Sequence, residues 1–263
     1  MASVAYPHPG FLNPVPKHSL HKPLPFDLRS SLFALRARET SQSPLKWPIH
    51  HPRQIERITV PNSYGEKLVG LLHETGSKEV VVLCHGFRAS KDHEIMRNLA
   101  GALTREGISA VRFDFAGNGE SEGSFQYGNY QREADDLHAV VLYFLRSNRV
   151  VKAILGHSKG GNVVLLYASR YHDVPIVVNV SGRYDLNKGI EERVGKGFIE
   201  RIKKDGFIDV NGKKGNLVAQ LISLELLAGK DQYRITEESL MDRLSTDMHA
   251  ACLSIEKSCR SET

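Results

Sequence analysis

The sequence predicts an α/β fold, a mostly parallel sheet with helices on both faces. Three observations predict it. Short apolar runs of strand length alternate with longer stretches of helical period. One such run, Val150–Leu155, ends in Gly156-His157-Ser158-Lys159-Gly160 and passes directly into a helical stretch. The composition, 41% hydrophobic and 25% charged over 263 residues, is that of a globular chain and excludes a disordered or fibrous one.

Taken in order, residues 1–53 read as a disordered Pro-rich N-terminal arm. Residues 1–50 hold 8 of the 11 prolines, which deny the segment a regular helix. They also hold 6 of the 35 Lys and Arg but only 2 of the 30 Asp and Glu. Two readings stand: a chloroplast transit peptide, which is basic, Ser-rich and acid-poor, or the unstructured leader of a cytosolic protein. The other 213 residues carry 29 basic against 28 acidic groups, a balance that argues against a nucleic-acid surface. The longest apolar stretch, Leu217–Ala228, is too short for a membrane span and contains Gln220 and Glu225. Cys84, Cys252 and Cys259 fit no metal spacing, and a reducing compartment is the expectation.

The domain itself is expected over residues 54–263. Ile55–Val60 and Lys67–His73 predict two strands joined by the turn signal Asn62-Ser63-Tyr64-Gly65. Val80–Cys84 is continuously apolar, as a strand buried on both faces requires. Helical stripes cover His93–Glu106, Gln131–Arg146 and Lys159–Tyr171. Strands are predicted at Ser109–Asp114, Val150–Leu155 and Pro175–Val180. A cap-like insert, about residues 183–234, then breaks the rhythm. Ile190–Lys204 reads there as one mixed-charge helix, and Asn216–Gly229 is abruptly apolar. Thr236 caps a last helix running to about Ile255.

The chemistry is concentrated at Gly156–Gly160. G-x-S-x-G between a strand and a helix is a nucleophile elbow: Gly156 and Gly160 keep the turn tight, and Ser158 is lifted to the helix N-terminus. After the Val80–Cys84 strand comes His85-Gly86-Phe87-Arg88. In hydrolases of this architecture an N–H from that loop and the N–H after the nucleophile hold the oxyanion, which here means Phe87 and Lys159. His85 reads as a loop-packing residue rather than a base. Asp114, at the head of the Gly-rich loop Phe115–Ser121, reads as the tie that holds that loop. Gly117 and Gly119 form no dinucleotide fingerprint, and no cofactor or metal is expected. An exposed position is the expectation for Lys159.

These blocks, in this order, resemble the α/β-hydrolase superfamily. Leu83–Phe87, the Asp114–Ser121 loop and Gly156–Gly161 look most like the serine aminopeptidase-like and feruloyl-esterase-like hydrolases, particularly the plant members. The resemblance implies a triad in the order Ser, acid, His, the last two after the seventh and eighth strands. Only six strands are predicted here, so the reading is a fold lacking the last two strands and a chain shortened before the acid and histidine. No substitute presents itself. His172 lies a helix length from Ser158, His249 sits on the last helix, and His157 points away from its neighbour. None of the seven later aspartates ends a strand, and Asp185 reads as a cap tether. Loss of the base costs on the order of 10⁶ in turnover in a well-studied serine protease.

The resemblance therefore implies a serine carboxylesterase or acylaminopeptidase working through an acyl-enzyme at Ser158, on a small-molecule ester or amide. The alternative is a non-catalytic chain of the same fold. An acyltransferase or thioesterase is a third reading. No nucleic-acid or membrane partner is expected, and no pattern sets an oligomeric state.

Overall fold

The computed structural model describes residues 54–211 and 232–255. The predicted arm, the apolar stretch Asn216–Gly229 and Cys259 lie outside the described residues. Strands β1 (Gln54–Pro61) and β2 (Lys67–Glu74) pair antiparallel along their full length. Their turn is held by Asn62 Oδ1, which accepts the N–H groups of Tyr64 and Glu66. β3 (Glu79–Cys84), β4 (Ser109–Phe113), β5 (Val150–His157) and β6 (Ile176–Val180) complete the sheet. The order is β1-β2-β4-β3-β5-β6, with β2 antiparallel to β4 and the last four mutually parallel.

β3 shows why a buried strand reads as an unbroken apolar run. Val80, Val82 and Cys84 join the core on one face, and Val81 and Leu83 join the core on the other. The second core is covered by α1 (Glu94–Arg105) through Met96 and Ala100. The first is covered by α2 (Tyr130–Arg146) and α3 (Lys159–Tyr171). Among the described residues β6 has a neighbour, β5, on one side only. Its Ile176 and Val180 are 45% and 38% exposed.

The insert differs from the sequence expectation. Ile190–Lys204 is not one helix but two, α4 (Glu191–Val194) and α5 (Phe198–Asp205). Gly195 and Gly197 separate them at φ 91° and 65°, a conformation that ends α-helical backbone. β7 (Phe207–Asn211) and β8 (Gln232–Thr236) form an antiparallel pair that the sequence did not announce. Together they enclose a third apolar cluster, which includes Ile190, Ile202, Ile208 and Ile235 and reaches Phe87 and Tyr127.

The predicted last helix is likewise two, α6 (Glu237–Ser245) and α7 (Met248–Ser254). Thr236 caps the first in a reciprocal box with Ser239. Asp247 caps the second by accepting the N–H groups of His249 and Ala250. α7 packs on α3 and sends Met248 and Ala251 into the main core.

Candidate active site

The chain leaves β3 toward β4 on one side and leaves β5 toward β6 on the other. A crevice opens at such a divergence, at the carboxyl ends of the strands. Cys84 and Gly156 are register partners there, so the loop after β3 and the turn after β5 emerge side by side.

Ser158 sits at the β5–α3 junction with φ 55° and ψ −117°. A non-glycine residue held there costs on the order of 1–3 kcal/mol, so its surroundings must enforce the turn. Ser158 N–H donates to Val180 O at 2.8 Å, and Ser158 O accepts from Gly161 N–H at 2.9 Å. A Cβ on Gly156 would run into the Gly160 carbonyl, and one on Gly160 into the Cys84 carbonyl. Gly86 is tight, though less so, from the other loop: its Cβ would stand 3.1 Å from Ser158 Cβ. The three glycines let two backbones close on the serine.

Phe87, Ser158 and Lys159 line one cavity of about 80 Å³. Among the described residues, the N–H groups of Phe87 and Lys159 have no hydrogen-bond acceptor. Phe87 itself is gripped edge-on by Phe125, Tyr127 and Tyr233, which fixes its loop.

The Lys159 side chain corrects the expectation of an exposed lysine. It is 5% exposed, and its Nζ lies 2.6 Å from Glu133 Oε1 and 5.0 Å from the Tyr130 ring centre. Glu133 belongs to the buried face of α2, and burial pushes its carboxyl up to about 7 against the pull of the Lys159 charge. Its Oε2 has no hydrogen-bond partner among the described residues. The sequence carried one signal for this: an acidic residue inside the apolar stripe of α2, one position before Ala134 and four before Leu137.

His85 is 2% exposed, and both its nitrogens are engaged. Nε2 accepts the Phe115 N–H at 3.2 Å, so Nδ1 carries the proton and donates to Gly86 O at 2.9 Å. Burial lowers its basicity to about 4. The ring ties the loop after β3 to the loop after β4. Asp114 is fully buried and accepts the N–H groups of Lys91 and Glu120 and the Lys91 ammonium at 2.9 Å. Gly119 leaves space for that carboxylate. Lys91, 2% exposed, escaped notice in the sequence because a lysine beside Asp92 reads as surface.

The remaining described histidines make no hydrogen bond to Ser158. His73 accepts from Arg112 Nε, and His138 stacks on Tyr171 at 3.8 Å. His172 caps the far end of α3, and His249 meets Tyr184 edge-on. His157 stacks with His93, the N-cap of α1, at 6.4 Å. Asp185 accepts the Asn187 N–H and so closes a local turn. Ser158 Oγ makes no hydrogen bond to a described residue. Among the described residues, no group of three or more His, Cys, Asp or Glu is arranged to hold a metal ion. No described helix is long and apolar enough to cross a membrane.

Sheet order, elbow and crevice together define an α/β hydrolase. Residues 75–207, just over half of the chain, match the family model described as serine aminopeptidase, S33, and the chain belongs to that family. Among solved structures it is similar to the α/β hydrolase GrgF from Penicillium sp. sh18, with 21% identity, TM-score 0.64 and 78% of each chain covered. It is also similar to Est1E from Butyrivibrio proteoclasticus, solved with ferulic acid bound. There the identity is 18%, the TM-score 0.52, and 74% of this chain and 73% of that one are covered. The esterase Pf2001 of Pyrococcus furiosus aligns at 19% identity and TM-score 0.52, over 77% of this chain and 66% of its own. At these identities the likeness is one of fold. Comparison with curated proteins gives no match.

Proposed function

We propose that the chain is a serine hydrolase of small esters or amides, of carboxylesterase or acylaminopeptidase type. The observation that carries this reading is the strained Ser158 at the head of α3, in one cavity with Phe87 and Lys159, whose N–H groups have no other described acceptor. Ser158 Oγ attacks the carbonyl carbon, and the carbonyl oxygen gathers negative charge. Those two N–H groups and the α3 N-terminus stabilise it. The C–O or C–N bond breaks, the alcohol or amine leaves with the serine proton, and water later releases the acyl group from Ser158. The described cysteines are free, which fits a reducing compartment, whether cytosol or chloroplast.

A second reading has its own support. The serine proton needs a base, and no described ring nitrogen hydrogen-bonds Ser158 Oγ. A chain lacking the acid and histidine of the triad keeps the pocket and binds without turnover. An oxyanion hole and binding alone leave roughly 10³–10⁴ over water.

Treatment with a fluorophosphonate probe separates the two. Under the first reading the wild-type protein is labelled and Ser158→Ala is not. A folded wild-type sample that stays unlabelled, with its circular dichroism matching that of the variant, establishes the second reading instead.

A further inference from the structure

The cavity at Ser158 is strongly cationic. Its walls include Lys159 from the elbow, Arg183 from the loop after β6, Arg193 from α4 and Arg243 from α6, and among the described residues no carboxylate lines it. Four elements far apart in sequence thus bring basic residues to the lining of one cavity of about 80 Å³ beside Ser158.

Each guanidinium is positioned rather than loose. The Arg183 backbone is clamped to α3 by Asn162, which accepts its N–H at 3.1 Å and donates to its carbonyl at 2.6 Å. The Arg183 side chain lies against Gly189, where a Cβ would come within 2.8 Å of Nη1, and donates to Lys188 O. Arg193 lies over the Phe87 ring at 4.9 Å. Arg243 is 7% exposed. Its Nε donates to Leu186 O and its Nη1 to the Tyr130 hydroxyl, and its Nη2 has no hydrogen-bond acceptor among the described residues.

None of the three arginines forms an ion pair with a described carboxylate. Glu133 holds Lys159, and Asp242 accepts the Tyr130 N–H at 2.8 Å. A buried arginine without a carboxylate is costly unless an anion completes it. Planar guanidinium groups match a carboxylate in particular, through paired N–H···O bonds.

Resting on the serine-hydrolase reading for what Ser158 does, we propose that this cavity selects substrates with a free carboxylate, such as the half-ester of a short dicarboxylic acid. Arg183, Arg193 and Arg243 receive that group while the ester faces Ser158. Aromatic walls from Tyr127 and Tyr130 accept the carbon chain between them.

Calorimetric titration of full-length Ser158→Ala tests the pocket, with monomethyl glutarate and the uncharged methyl pentanoate as probes. The half-ester is expected to bind at least about tenfold more tightly, the yield of one charge-assisted hydrogen bond. Added sodium chloride shrinks that preference. Arg183→Gln and Arg193→Gln, placed in the same background, alter exposed side chains and so spare the core. Each is expected to cut the preference severalfold. Equal affinity for the two probes, or a preference that both variants leave intact, overturns the carboxylate pocket whether or not the wild type is labelled by the fluorophosphonate. A clear preference together with an unlabelled wild type keeps the pocket and overturns only turnover at Ser158.

Discussion

At Ser158 three missing side chains matter as much as the hydroxyl. Gly156 and Gly160 face backbone carbonyls of neighbouring segments, which cannot swing aside as a side chain would. An alanine at either position must open the elbow or separate β3 from β5. Each is therefore expected to cost about 3 kcal/mol, the upper range for overpacking, read as a lower urea midpoint at constant slope. Gly101 provides the contrast. It lies inside α1, and its nearest neighbour for an added Cβ is Arg105 Nη1 at 3.7 Å. Gly101→Ala is expected to raise stability by roughly 0.5–1 kcal/mol through the lost backbone entropy of glycine. If all three alanines behaved alike, close approach would not be what the elbow glycines provide. The glycines were legible from their spacing alone. The Lys159–Glu133 pair was not, because nothing local tells a buried lysine from an exposed one until α2 is folded over it.

Among the elements, the two loops at the carboxyl ends of β3 and β4 depend on a buried ionic tie. Lys91 and Asp114 are 2% and 0% exposed, and Arg112 adds a second link from β4 to Asp92 and to Lys91 O. Removing one member leaves a buried charge uncompensated. Lys91→Met is expected to cost about 3–5 kcal/mol, and Lys91→Met combined with Asp114→Asn less than the sum of the two changes. Strict additivity in a denaturation cycle would show that the two do not act as a unit. The parallel strands and their helices were readable because each buries a face whose period is local. The insert was not. β7 and β8 are separated by residues 212–231, far more than the two to five residues by which a hairpin is read from sequence. Ile190–Lys204 carried a helical pattern that Gly195 and Gly197 overrule by two positive φ angles.

For the whole molecule, buried titratable groups set opposing dependences on pH. His73, His85 and His138 are less basic when folded, His85 falling from its ordinary 6.5 to about 4 by burial. The folded chain then binds fewer protons than the unfolded one below pH 6.5, so these groups lose stability as the pH falls from there. Asp136 acts the other way. It is fully buried, accepting the Ala116 N–H and the Asn62 amide, and burial raises its carboxyl from 3.8 to about 6. Between those values the folded chain binds the extra proton, so the Asp136 contribution falls as the pH rises, by roughly 3 kcal/mol across the window. Glu133, raised to about 7, adds a fall of the same sign. The two sets oppose each other between about pH 4 and 6. Asp136→Asn removes one falling contribution and leaves Glu133 to oppose the histidines. Its unfolding free energy is therefore expected to rise with pH across that window relative to that of the wild type, by up to about 1.4 kcal/mol per pH unit. Urea unfolding at half-unit steps reads this as a difference in slope, which any uniform loss from the replaced hydrogen bonds leaves untouched. Parallel curves for the two proteins would mean that Asp136 is ionised in the native state from pH 4 upward. The Ala116 and Asn62 hydrogen bonds, which favour the charged carboxylate, would then outweigh its burial.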